Sequence, residues 1–291
     1  MLVATCNVNG LRAAQRKGGP EWFAEANPDV LLIQEVRAPE ELVADLIGPG
    51  YQIVQQASVL KGRAGVAIAV RDEYEIGRIS IGLAAGLDPE LGGTREGDAA
   101  TSVFNPQEPP VDTGRWVEVD VPALHTTFVS TYLHSGVATK ADKMEAKYSH
   151  LDRVTQRLAE LQTNRAAELP HVLVAGDFNI VHTPLDIKNW KPNHNKTAGV
   201  LDQEIAYLDK WFGVMGFSDV QRKLAGEVQG PYTWWSQRGK AFDNDAGWRI
   251  DYQMTTPELG ELARTFRVDR AAGYDSRWSD HAPLLIDYDV N

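Results

Sequence analysis

Short β-rich runs recur along the whole chain, and any fold it adopts must accommodate all of them. They are Leu2–Cys6, Val30–Gln34, Tyr51–Val54, Gly65–Val70, Trp116–Val121, Thr126–Tyr132, His171–Ala175, Tyr232–Trp235, Trp248–Met254 and Pro283–Tyr288. Many alternate or are apolar throughout, as strands buried on one or both faces must be. Between them lies one clear amphipathic pattern, Thr139 to Asn164, where Ala141, Met144, Tyr148, Leu151, Val154, Leu158 and Leu161 recur at steps of three and four. Weaker helical patterns cover Glu21–Ala26, Pro39–Ile47 and Leu201–Val214. Strands and helices that interleave in this way predict an α/β or α+β fold, with mixed sheets covered by helices on their outer faces. Residues 82–114, rich in Gly, Pro and acidic side chains, read as a long exposed loop, with a substrate lid as the sharper alternative.

No Pro/Ser-rich linker divides the 291 residues, so a single domain spanning 1–291 is expected. The apolar runs are far shorter than the roughly 20 residues that span a bilayer, so no membrane partner is expected. Met1–Thr5 lacks the basic start of a signal peptide. The one cysteine, Cys6, excludes an internal disulfide and fits a reducing cytoplasm, the expected location. Asp and Glu total 40 against 29 Lys and Arg, a formal charge of −11. That balance excludes a protein that coats nucleic acid through bulk positive potential. It leaves room for local basic patches, and for carboxylates gathered around a divalent cation.

Residues able to ligate a hard cation stand repeatedly at the ends of the predicted strands. Asn7 and Asn9 follow the first, Glu35 the second, Asp177 and Asn179 follow the His171 run, and Asp280-His281 precede the last. Side chains just past strand ends collect at one rim of a sheet. Converging oxygens of this kind describe a magnesium site.

These positions fall within longer motifs: Thr5-Cys6-Asn7-Val8-Asn9-Gly10-Leu11-Arg12-Ala13, Leu32-Ile33-Gln34-Glu35, Gly176-Asp177-Phe178-Asn179-Ile180, Gly247-Trp248-Arg249-Ile250-Asp251-Tyr252 and Ser279-Asp280-His281-Ala282-Pro283. Their order resembles that of the exonuclease III type AP endonucleases, within the endonuclease/exonuclease/phosphatase superfamily, over essentially the whole chain. The Gln-Glu, Gly-Asp-x-Asn and Ser-Asp-His signals are shared across the superfamily. Asn-Gly-Leu-Arg-Ala and Gly-Trp-Arg-x-Asp-Tyr are more particular to the DNA-repair branch.

The resemblance implies a four-layered α/β sandwich of two packed mixed β-sheets flanked by helices. It implies a Mg²⁺ cofactor, replaceable by Mn²⁺, held by Glu35 with Asn7 and Asp280, and with Asp177, Asn179 and His281 close enough to count among its candidate ligands. It casts Asp177 as the group that orients and deprotonates the attacking water, or else assists a metal-bound one. Asn179 becomes the amide that positions the water or donates to phosphate, and His281 with Asp251 a histidine–aspartate pair that donates to a phosphoryl oxygen. Tyr132 would set its hydroxyl against the scissile phosphate. Trp234 and Trp248 would line a slot for an extruded, baseless deoxyribose, while Trp235 reads as core. Asn9 and Arg12 join the substrate-binding set. His134 stands where the resembled family has proline, and reads either as a second phosphate-binding imidazole or as a turn residue.

The implied activity is Mg²⁺-dependent incision of damaged double-stranded DNA 5′ to abasic sites, with 3′-5′ exonuclease and 3′-phosphodiesterase or phosphatase activity, by a monomer. Lys and Arg groups at Arg12, Arg16 and Lys17, at Lys61 and Arg63, at Lys140, Lys143 and Lys147, and at Lys188, Lys191 and Lys196 are candidates for phosphate contacts. Two rivals stand beside this reading: a phosphatase or sphingomyelinase-like phosphoesterase acting on a small or lipid substrate, and a DNA-binding relative without turnover.

Overall fold

Alternate residues of the central strands point into two different cores, which is why those strands are apolar throughout. In the computed structural model, which describes residues 1–83 and 102–290, the strands in chain order are β1 (Leu2–Asn7), β2 (Val30–Gln34), β3 (Tyr51–Gln56), β4 (Val66–Arg71), β5 (Ile79–Ile81), β6 (Ser102–Phe104), β7 (Trp116–Val121), β8 (Thr126–Tyr132), β9 (His171–Asp177), β10 (Ser218–Asp219), β11 (Trp234–Trp235), β12 (Gly247–Trp248), β13 (Asp251–Thr255), β14 (Ala263–Val268) and β15 (Leu284–Tyr288). A six-stranded sheet has the order β14-β15-β1-β2-β4-β3, and a seven-stranded sheet the order β10-β13-β9-β8-β7-β5-β6. Both are mixed: β1 and β2 run parallel, as do β8 and β9.

Val3, Leu32, Ile68, Phe128 and Leu173 fill the space between the two sheets. Their neighbours Ala4, Ile33 and Ala67 face outward, onto the helices Leu11–Gln15, Gly19–Ala26 and Glu40–Ile47. On the opposite outside, Val129, Val172 and Val174 meet Leu151, Val154 and Leu158 of the helix Ala141–Thr163. The result is the four-layered α/β sandwich, helix on sheet on sheet on helix. Polar links cross the inter-sheet seam: Gln34 Nε2 donates to Ser130 Oγ at 3.1 Å, and Gln253 Nε2 to the Val3 and Leu284 carbonyls at 3.0 and 3.1 Å. No helix among the described residues is long and apolar enough to cross a membrane.

Three expectations need correction, and one strand was not foreseen. Trp248–Met254 is not one strand: it breaks before Asp251, where Arg249 turns inward to bond Asp186 and Asp219. The loop expected over 82–114 contains β6, which pairs in parallel with β5; residues 84–101 lie outside the described residues. The edge strand β14 escapes the sequence pattern because Arg264 and Arg267 hold its exposed positions, a charged edge of the kind that discourages further pairing. Lys147, grouped above with basic side chains of the long helix, is fully buried on its packed face and paired with Glu204 at 2.6 Å.

Two buried carboxylates tie layers together. Glu118 accepts from Arg157 of the long helix at 2.7 and 2.8 Å and from Trp116 Nε1 at 2.8 Å. Burial alone would raise its pKa, yet Arg157 and Arg78 outweigh that and hold it at about 2. Asp186, between Arg249 and Arg222, likewise sits at about 2. A carboxyl depressed on folding contributes stability that is present above its unfolded pKa and is lost as pH falls toward its folded one. For Glu118, the change from 4.5 to about 2 corresponds to about 3 kcal/mol. The urea midpoint should therefore hold near pH 6 and drop steeply between about pH 4.5 and pH 2. Glu118→Gln should flatten that drop, and an unchanged profile in the variant would refute the assignment.

Candidate active site

Strand register brings the sequence-distant carboxylates together. On the seven-stranded sheet, Asp177 at the end of β9 is flanked by Asp251 at the start of β13 and by Tyr132 at the end of β8. On the six-stranded sheet, Asn7 ends β1 beside Gln34 of β2, and Glu35 follows at once. Gly176 is required here: a Cβ on it would lie 1.8 Å from the Thr131 carbonyl oxygen, with φ at +149°. Asn9, Glu35 and Asn179 all take left-handed backbone conformations, with φ of 48°, 54° and 53°. Such conformations in residues other than glycine cluster at sites where loops are held in fixed, strained turns.

Asn7 spans the seam between the sheets, its Nδ2 donating to Glu35 Oε1 and to Asp177 Oδ2, both at 3.0 Å. Its Oδ1 accepts from the Asn9 amide at 3.0 Å. As oriented, Asn7 therefore braces two carboxylates and presents its N–H groups to them. Asn9 Nδ2 donates to Asp280 Oδ1 at 2.8 Å. Arg37, two residues past Glu35, bonds Glu35 Oε2 and also Asn9 Oδ1. Its place was missed in the sequence, although that short spacing was the available signal.

His281 is held at Nδ1 by Asp251 Oδ2 at 2.8 Å, while its Nε2 faces Asp177 Oδ2 at 3.8 Å. Burial opposes a charge on this ring, but Asp251 beside it and Asp177 beyond lift its pKa to about 10. Asp177 is pushed up to about 8 by burial, with Asp251 and Glu35 adding repulsion against the pull of His281. Tyr132 is raised well above its ordinary value, again by burial and by Glu35 and Asp177. Asn179 donates its amide to the Leu133 carbonyl at 2.9 Å, and its backbone N–H caps Asp177 Oδ1 at 2.9 Å. Behind it, Lys147 Nζ donates to the Asn179 and Ser135 carbonyls at 3.1 and 3.3 Å, which braces the loop from a buried ion pair.

These groups line a pocket of about 560 Å³. The structure brings Asn9, Glu35, Tyr132, Asp177, Asn179, Trp234, Trp248, Asp280 and His281 to its wall. Asn7 and Asp251 lie beneath that wall as partners of its residues. The indoles of Trp234 and Trp248 meet edge to face at 5.4 Å, paired across β11 and β12, and form one apolar side with Ile250. Trp235 is buried core. Two expected residues are not brought in. His134 directs Nε2 to Asp112 at 2.6 Å, and Arg12 borders a neighbouring depression with Arg37, Lys61 and Arg63. A second depression, continuous with the pocket at Asn9 and Asp280, carries Arg16, Lys17 and Arg277.

The donor set suits a hard cation. Carboxylates of Glu35, Asp177 and Asp280 converge with Asp251 behind, donor atoms of Asp177, Asp251 and His281 lie within 4.8 Å of one another, and buried Asp251 Oδ1 has no hydrogen-bond partner among the described residues. Oxygen ligands of this kind are those that a small divalent ion takes.

Comparison with known proteins agrees with this arrangement. Residues 4–281 match the model of the Endonuclease/Exonuclease/phosphatase family. An exodeoxyribonuclease of Bacillus subtilis (strain 168) is 28% identical over 287 residues, covering 98% of both chains. A DNA-(apurinic or apyrimidinic site) endonuclease of Dictyostelium discoideum is 24% identical, covering 100% of this chain and 71% of its own length. Among solved structures, an AP endonuclease from Archaeoglobus fulgidus superposes with a TM-score of 0.76 at 25% identity over the whole of both chains. A 3′ phosphatase from Neisseria bound to a product DNA hairpin has the same fold, with a TM-score of 0.76 at 23% identity over 99% of each. Matched along nearly its full length, the chain belongs to the endonuclease/exonuclease/phosphatase family.

Proposed function

We propose that the protein is a Mg²⁺-dependent DNA repair nuclease that hydrolyses the phosphodiester 5′ to abasic sites in duplex DNA and attacks 3′ termini with the same centre. The observation that carries this reading is the apolar Trp234–Trp248 wall set against the Asp177–His281 cluster in one pocket. A slot of that kind offers little to a base edge and accepts a bare sugar, while extrusion costs least where no base is stacked. The names of the relatives, an exodeoxyribonuclease and an AP endonuclease, support the same substrate class.

Asp177 takes the proton of the attacking water, and its burial favours accepting one. His281, kept protonated by Asp251, donates from Nε2 to a phosphoryl oxygen. Tyr132 sets its neutral hydroxyl on the same phosphate. Asn7 keeps Glu35 and Asp177 at fixed separation across the sheet seam. Glu35 and Asp280 would hold the cation, whose chemistry is to offset charge building on the phosphoryl group and on the departing 3′ oxygen. The depressions carrying Arg12, Lys61 and Arg63 on one side and Arg16, Lys17 and Arg277 on the other would receive the flanking phosphates.

Gel analysis of a defined abasic duplex and of a recessed 3′ end provides the test. Incision should appear with Mg²⁺, vanish with EDTA and return on adding Mg²⁺ back, while an undamaged closed duplex stays intact. Hydrolysis of inositol phosphates in preference to the abasic duplex would overturn the DNA assignment. With so acidic a chain, DNA affinity should also fall sharply as salt rises, because local basic patches supply the attraction.

A further inference from the structure

Asp112, His134 and His150 converge behind the turn that walls the pocket. They come from three separate segments: a turn before β7, the residues just past β8, and the long helix. One ligating atom from each lies within 4.8 Å of the others. His134 Nε2 is 2.6 Å from Asp112 Oδ1, His150 Nδ1 is 3.3 Å from the same oxygen, and the two imidazoles meet edge to face at 5.1 Å. Arg153 bonds the other Asp112 oxygen. Arg115 lies close by and holds the Tyr132 carbonyl at 3.1 Å.

His150 is the unexplained member. It is 0% exposed; its Nδ1 has only the poorly aligned 3.3 Å contact with Asp112, and its Nε2 has no hydrogen-bond partner among the described residues. The surrounding helix face packs with Leu151 and Val154, and an apolar side chain would serve there for packing alone. A buried polar ring with one nitrogen unpartnered and the other poorly aligned is disfavoured unless something else uses them.

We propose that Asp112, His134 and His150 form a second cation site, separate from the catalytic carboxylates, for a first-row transition-metal dication, with Zn²⁺ the best-suited probe. Two imidazole nitrogens and one carboxylate oxygen form the borderline donor set that such ions prefer and that Mg²⁺ does not. Bonds of about 2.0–2.1 Å place tetrahedral ligands about 3.3 Å apart. The His134–Asp112 pair must open from 2.6 Å as the ion replaces its hydrogen bond, while the 3.3 Å His150–Asp112 spacing already suits a tetrahedral ion. Arg153 keeps Asp112 ionised and aimed. The bound ion pins the segment after β8 to the long helix. Ser135 and Gly136 of that segment line the catalytic pocket, so the ion stiffens one of its walls without touching the reacting atoms.

The experiment uses the full chain, stripped with chelator and held in excess Mg²⁺ to occupy the carboxylate site. Co²⁺ is titrated by visible absorption, and Zn²⁺ by the imidazole ¹⁵N signals. Wild type and Asp177→Asn should both show a Co²⁺ band that Zn²⁺ displaces, and Zn²⁺ should shift the His134 and His150 signals together. His150→Gln should weaken binding by at least about 100-fold. Co²⁺ binding by folded His150→Gln as tight as that of wild type would overturn the site. So would unmoved His134 and His150 signals in the wild-type protein, a readout that needs no variant to fold.

Discussion

Asp177→Asn is expected to lower the incision rate on an abasic duplex by about 10³-fold, within the range set by loss of a positioned general base. The replacement has the same shape, and its single amide oxygen can keep one of the two hydrogen bonds that the carboxylate accepts, from the Asn179 N–H at Oδ1 or from Asn7 at Oδ2. What it removes is the proton acceptor. Burial, Asp251 and Glu35 together disfavour a charge at Asp177, so the neutral amide should be tolerated or even stabilising. The variant should therefore melt no lower than wild type and bind abasic DNA at least as well, because a negative charge near the phosphate is gone. Single-turnover kinetics with binding measured in parallel will separate these effects. Cleavage within a few-fold of wild type would remove Asp177 from the chemistry, and equal losses of binding and cleavage would move it to substrate recognition.

The second large effect is structural. Arg249 is fully buried and holds Asp219 through both terminal nitrogens at 2.8 and 2.6 Å and Asp186 through Nε at 2.7 Å. Arg249→Met keeps most of the volume and leaves Asp219, itself nearly buried, without its counter-charge. Asp186 keeps Arg222 as its counter-charge, and the Thr183 N–H and hydroxyl still donate to it. Breaking a buried pair from one side typically costs 3–5 kcal/mol, and the loss here should be about 4 kcal/mol by urea unfolding. Both neighbours in sequence, Trp248 and Ile250, line the pocket, so the same change should raise KM for abasic duplex more than it lowers kcat. A loss below about 1 kcal/mol would mean that water or a rearranged partner takes over the arginine's role.

Much of this site was legible in the sequence for a definite reason. Asn7, Glu35, Asp177 and Asp280 each follow or precede an apolar run, and strand ends share a rim whatever the strand order. Strand order itself was not legible, since nothing in Val30–Gln34 or His171–Ala175 says which run each will pair with. The four-layered arrangement came from the resemblance of motifs and not from periodicity. Lys147 was misplaced because a lysine on a helix reads as solvated, and its partner Glu204 lies in a different segment that only the fold brings close. His134, left open between two readings, is a similar case: Tyr132, two residues before it, reaches the pocket, while its own imidazole bonds Asp112. Short strands such as Ile79–Ile81 carry too few residues for any period to register.

Asn7 enters the site from the first strand and His281 from just before the last, and those two strands are neighbours in one sheet. A growing polypeptide therefore has no complete site until His281 has emerged. A fragment that lacks β1, or that is cut off before His281, would lack one side of the site.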